Sequence, residues 1–162
     1  MPVSAEASRL IRAAPGAVWQ VWRDFQRWPR WQPEAVEAHW LAGAPWTDGS
    51  TFSLLRRVPW ALLRRLMGGG ARRFVGRVLS TAEEQLLVWE LRPTMGTWLG
   101  PTLVESVRLE PAPGGTTVSL TLTAHGPLPT LLGPLGLRGQ LRSQAEETLD
   151  GLQRLLQVVK GD

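Results

Sequence analysis

The stretch "GTTVSLTLTAHGPLPTLLGPLGLRGQLRSQAEETLDGLQRLLQVVK" (residues 115–160) decides the fold. It opens on strict alternation, with Val118, Leu120, Leu122 and Ala124 separated by Ser and Thr. That is the period of a strand with one buried face. Proline and glycine then interrupt the chain. From about Gln140 to Lys160 the period becomes helical, with Leu141, Ala145, Leu149, Leu152, Leu156 and Val159 on one stripe. An apolar stripe of that length has to be covered. A curved antiparallel sheet is the economical cover, because one of its faces is apolar and the other solvated.

The upstream segments supply such a sheet. Residues 4–12 read as a short, weak strand. "AAPGAVWQVWRDF" then starts a helix near Pro15, where a missing N–H costs little. Val18, Val21, Trp22 and Phe25 follow helical spacing. Pro29 and Pro33 allow at most one further helical turn. "AVEAHWL" (35–41) alternates, with Val36, Ala38 and Trp40 on one face. After the turn cluster "GAPWTDGS" come "TFSLLRR", "ARRFVGRVLS", "EEQLLVWELR" and "TLVESVRLE", each readable as a strand. The predicted class is α+β: a seven-stranded curved antiparallel sheet around a long C-terminal helix, with one or two short helices after the first strand.

The chain has 162 residues, 43% of them hydrophobic and 20% charged, which fits one globular domain over residues 1–162. A chain of this size buries roughly 70% of its unfolded surface, so a core needs no staples. Cysteine is absent, which excludes disulfides, thiolate catalysis and Cys-based metal sites. "MPVSAEASRL" lacks the basic and apolar regions of a signal peptide, and no apolar run is long enough for a spanning helix. The sequence reads as that of a soluble, cytoplasmic protein.

Several phrases resemble the polyketide cyclase/dehydrase and lipid-transport superfamily, the START-like or SRPBCC proteins with their helix-grip fold. They are "IRAAPGAVWQVWRDFQRWPRWQP", "DGSTF", "VWE" and "PAPGGTTVSLTLTAHGPL", running from Ile11 to the last helix. The resemblance implies a cavity between sheet and C-terminal helix for an apolar or aromatic molecule. Superfamily members include lipid carriers, hormone receptors, aromatase/cyclases and chaperone activators, so the fold speaks for binding and not for a particular chemistry. The stretch Pro59–Gly70 departs from the usual pattern, being longer than an ordinary hairpin connection.

That stretch belongs to "LLRRVPWALLRRLMGGGARRF" (54–74), where Arg pairs recur at 56–57, 64–65 and 72–73. The net charge of +4 is mostly this segment. In a meander, the connections 3–4 and 5–6 and the exit of strand seven share one end of the sheet. They carry Trp60, Leu62, Leu63, Leu66, Met67, Met95, Trp98, Leu99, Leu131, Leu132 and Leu135, whereas turns are usually polar. The foremost reading is that these loops fold over one another and close a small core. A gated cavity mouth or peripheral membrane contact through residues 58–70 comes second, with Arg64 able to meet an anionic group. Nucleic acid comes last, because alternation sends Arg56 and Arg57, and likewise Arg72 and Arg73, to opposite faces.

Glu105 shares the inward parity of Leu103, Val107 and Leu109 and is the candidate catalytic acid or base. A bulge, a register shift or a salt bridge to Arg is the preferred alternative for it. Arg108 has the opposite parity, so an ideal strand turns at most one of the two inward. His39 and His125 both read as solvent-side and lack metal-ligand spacing. No phosphate loop and no nucleophile elbow is present. Most tryptophans read as core, Trp60 and Trp98 excepted. The residues expected to touch a ligand are Trp60, Arg64, Met67, Trp89, Trp98, Glu105, Arg108, Leu131 and Leu149. The expected function is non-catalytic binding or transport of a small hydrophobic molecule such as a lipid, isoprenoid or aromatic metabolite, with no metal and no cofactor. A cyclase/aromatase-like enzyme in the same cavity, and a membrane- or protein-contacting module using the rim, are the alternatives.

Overall fold

Alternating sequence becomes paired strand along nearly the whole chain. The computed structural model describes residues 2–57, 70–94 and 101–159. Strands β1 (Val3–Ile11), β2 (Ala35–Ala42), β3 (Thr51–Arg57), β4 (Ala71–Ala82), β5 (Leu86–Pro93), β6 (Thr102–Ala112) and β7 (Gly115–His125) form one antiparallel sheet in the order β1-β7-β6-β5-β4-β3-β2. Helix α1 (Pro15–Arg23) and a 3-10 helix (Phe25–Arg30) connect β1 to β2. Helix α2 (Pro127–Leu132) and a 3-10 turn (Gly133–Leu135) lead into α3 (Leu137–Val159). The long helix lies against β1 and β7, covering the inner face. The helix-grip expectation therefore holds.

The inward parities also hold where the ladder is regular. Leu87, Trp89 and Leu91 of β5 are buried, as are Val118, Leu120, Leu122 and Ala124 of β7. On α3, Leu141, Ala145, Leu149 and Leu152 are buried. Three local readings need correction. β1 is neither short nor weak, since it pairs with β7 over its full length, from Val3 opposite Ala124 to Ile11 opposite Thr116. Val36 is exposed and not inward, because a bulge between Ala35 and Glu37 rotates it out while Ala35 and Ala38 stay buried. The last helix begins at Leu137, three residues before Gln140.

Tryptophan fills much of the interior. Trp22 meets Trp28 and Trp31 edge to face, with ring centroids 5.8 and 4.9 Å apart. Such pairs add roughly 0.5–1.5 kcal/mol each beyond the area they bury. Trp46 joins them from the turn cluster after β2. Its backbone is left-handed (φ 59°), a conformation uncommon outside glycine. Burial of the indole and a 2.7 Å hydrogen bond from its Nε1 to the Arg23 carbonyl oppose that cost.

Two glycines permit close approach. A Cβ on Gly76 would lie 2.1 Å from the Phe52 ring, so the ring occupies the space a side chain there would need. A Cβ on Gly151 of α3 would lie 2.0 Å from the Trp31 carbonyl oxygen, so only glycine lets the helix seat against residues 31–33. Gly151→Ala is expected to destabilise by about 1–3 kcal/mol through overpacking. Gly139→Ala, in the same helix with open space around its Cβ position, should instead stabilise by up to about 1 kcal/mol. Urea denaturation of the two variants reads both signs; equal effects would refute the packing argument.

Candidate functional site

The register that buries Trp89 and Leu122 also buries what stands between them. Glu105 on β6 is paired with Trp89 on β5 and Leu122 on β7, with no register break at that point. It faces inward and is only 2% exposed. Arg56 on β3, at 4% exposure, faces the same interior. Two strands separate β3 from β6 in the sheet. The long Arg side chain nevertheless reaches Glu105, with Nη1 2.7 Å from Oε1 and 3.2 Å from Oε2. Trp89 Nε1 donates to the same Oε1 at 3.3 Å. Of the alternatives weighed for Glu105, the salt bridge is realised and the outward rotation is not.

Glu34, just before β2, completes the cluster. Its backbone carbonyl accepts from the Arg57 N–H at 2.8 Å, which holds it beside Arg56. Its side-chain Oε1 accepts from the Thr148 hydroxyl of α3 at 2.8 Å. That hydroxyl also lies 3.0 Å from the Gln144 carbonyl, and its one proton is shared between the two acceptors. Among the described residues, Glu34 Oε2, Arg56 Nε and Trp22 Nε1 have no hydrogen-bond partner, although all three residues are buried. Gln32, Glu34, Arg56, Glu105, Gln144 and Thr148, walled by Trp22, Trp89, Leu120 and Leu122, surround a gap of about 10 Å³. That is room for one small polar group.

Burial and charge act on both Glu34 and Arg56. Burial pushes the Glu34 carboxyl above its ordinary value, opposed by the Arg56 charge and the Thr148 hydrogen bond. Burial also disfavours the Arg56 cation, but Glu105 and Glu34 outweigh it and hold the guanidinium above its ordinary range. Arg56 therefore stays charged, and Glu34 is the group that yields its proton late.

The structure brings together part of the predicted set. Trp89 and Glu105 line the gap, and Leu149 is fully buried on α3 one residue from Thr148. Arg108 does not join them, because strand alternation places it on the exposed outer face. Leu131 is 71% exposed on α2 and borders an open depression with His125, Pro127 and Pro134, away from Glu105. Trp60, Arg64, Met67 and Trp98 lie outside the described residues. Arg56, Glu34 and Thr148 were not among the predicted site residues. The inward parity of Arg56 was readable; its partner three strands along was not. Among the described residues, no group of three or more His, Cys, Asp or Glu is placed to hold a metal ion, and no helix is long and apolar enough to cross a membrane.

The sequence model of the polyketide cyclase/dehydrase and lipid transport family matches residues 2–157. No curated protein matches the chain. Solved structures share the fold at low identity. Protein TTHA0849 from Thermus thermophilus is 18% identical with a TM-score of 0.72, covering 96% of this chain and 98% of its own. Protein MLL2253 from Mesorhizobium loti is 16% identical with a TM-score of 0.69, covering 98% of both chains. Ara h 8.0201 is 12% identical with a TM-score of 0.69, covering 98% of this chain and 99% of its own.

Two outcomes test the cluster. Arg56→Met should cost about 3–5 kcal/mol, because Glu105 is left as an uncompensated buried charge. Adding Glu105→Leu should recover most of that loss, as apolar replacement of a buried pair is often neutral. A double-mutant cycle by chemical denaturation showing simple additivity would contradict the pairing. The raised Glu34 value means the folded protein holds a proton that the unfolded chain releases near pH 4.5. Its contribution to stability is therefore complete below that pH and is lost as pH rises through the folded value, by at most about 1.4 kcal/mol per pH unit. Glu34→Gln should flatten that decline in a pH series of unfolding free energies.

Proposed function

Because the chain belongs to the polyketide cyclase/dehydrase and lipid transport family, we propose that it binds or carries a small hydrophobic molecule between the sheet and α3. The supporting observation is the buried polar cluster in an otherwise apolar, indole-walled interior, with three polar atoms of its lining left unpartnered among the described residues. Buried polar groups are nearly always hydrogen-bonded, and exceptions call for an explanation. A ligand whose apolar body displaces core contacts while its polar end reaches Arg56 and Glu34 supplies one. Removal of apolar ligand surface from water, at roughly 25 cal/mol per Å², drives the association. Trp22, Trp89, Leu120 and Leu122 would receive the body, and Arg56, Glu105 and Glu34 would orient it. Ligand entry requires these side chains to part, since the gap of about 10 Å³ admits no drug-sized molecule.

A second reading, an enzyme of the cyclase or aromatase kind, draws on Glu34. A buried carboxyl whose proton is held above the ordinary range, with one oxygen free, has the chemistry of a general acid. Glu34→Gln separates the two, since a carrier keeps its ligand affinity within a few-fold whereas an enzyme loses turnover and retains binding. The rim-based membrane reading rests on residues 58–70, most of which fall outside the described set.

Native mass spectrometry of freshly purified protein, followed by solvent extraction and mass analysis, tests the proposal. The expected result is a reproducible adduct that extracts as a lipid or aromatic compound. A clean apo mass, together with failure of a panel of hydrophobic dyes to bind, would overturn it.

A further inference from the structure

The charge arithmetic of the buried cluster restricts what its ligand can carry. One guanidinium, Arg56, faces two carboxylates, Glu105 and Glu34, and is already paired with the first at 2.7 Å. A ligand carboxylate would bring a third acid into a closed gap, where an uncompensated charge is heavily penalised. A ligand ammonium would sit against the guanidinium, and Glu34 would meet it only when ionised, a form that burial disfavours. Arg72, the cross-strand neighbour of Arg56 on β4, is half-exposed and does not line the gap, so it offers no counter-charge there. Of the residues that line the gap, those with a buried polar atom lacking a partner among the described residues are Arg56 (Nε) and Trp22 (Nε1), both donors, and Glu34 (Oε2), an acceptor when ionised and a donor when protonated. A hydroxyl both donates and accepts, carries no charge, and matches a gap of about 10 Å³.

Resting on the ligand-binding reading above, we infer that this site selects a neutral hydroxyl-bearing hydrophobe, an alcohol or phenol, over the corresponding carboxylate. The hydroxyl accepts from Arg56 Nε and exchanges a hydrogen bond with Glu34 Oε2. Glu105 acts as the selectivity element: it neutralises Arg56 and so removes the attraction that would otherwise favour acids.

Isothermal titration calorimetry at neutral pH with β-naphthol, β-naphthoate and naphthalene tests this. Naphthol should bind at least about tenfold more tightly than either of the others, the ratio expected from one well-made buried hydrogen bond. In Glu105→Gln, whose folding is checked by circular dichroism, the freed Arg56 charge should shift the preference toward naphthoate by about tenfold or more. Naphthoate binding as well as naphthol in the unaltered protein, or naphthalene doing so, would overturn the inference while leaving ligand binding intact. An unchanged preference in a folded Glu105→Gln variant would overturn it too, and the ranking in the unaltered protein decides the matter if that variant does not fold. Binding of none of the three overturns the inference, and with an empty native mass spectrum it overturns the ligand-binding reading as well.

Discussion

A guanidinium in an apolar interior must have its charge met, and the inner face is organised around that demand. Arg56 is almost completely buried, and Glu105 meets it with both carboxylate oxygens. A buried pair of this kind is weak evidence for stability, since desolvation consumes much of the Coulomb gain. Its place in the middle of an indole-filled core is what the proposed ligand site draws on. The elements around it are fixed to suit: β3 and β6 present the two charges, the Arg57 N–H holds Glu34 in place, and Thr148 ties Glu34 to α3.

The aromatic residues then set what the interior can hold. Trp22, Trp28, Trp31, Trp46 and Trp89 pack ring against ring around the cluster, and α3 is pulled close enough that Gly151 touches the Trp31 carbonyl region. Among the described residues, the space beside the charges is a gap of about 10 Å³. Family membership speaks for hydrophobic ligand binding in general; at this gap, room for a ligand's body would come from moving the stacked side chains that wall it.

Much of this architecture was legible in residue order. Period-two alternation located the inner faces of β5, β6 and β7, and with them the inward direction of Glu105; helical spacing located the buried stripe of α3. The failures have physical causes. Val36 was misplaced because a bulge shifts the phase of β2, and a bulge leaves no mark in hydrophobic periodicity. Trp46, read as core with most of the tryptophans, is buried, but the left-handed backbone that turns it inward runs against local preference and leaves no mark in the sequence. Arg56 and Glu105 could each be assigned a face, but their contact spans 49 residues and two intervening strands, so it depends on sheet curvature that no local pattern encodes. Glu34 lies outside any periodic segment and is placed by backbone and side-chain hydrogen bonds.

The account comes down to one location. The proposed function places a ligand's polar end at the buried charges of Arg56, Glu105 and Glu34, in contrast to the open depression beside His125 and Pro134, which offers volume without buried polar partners. A crystal structure of the protein with β-naphthol bound is the most direct measurement. The account predicts the naphthol oxygen within hydrogen-bond distance of Arg56 Nε and Glu34 Oε2, with Trp22 or Trp89 moved aside to admit the rings. Naphthol seated in the depression at His125–Pro134, with the Arg56–Glu105 cluster still closed, would contradict it.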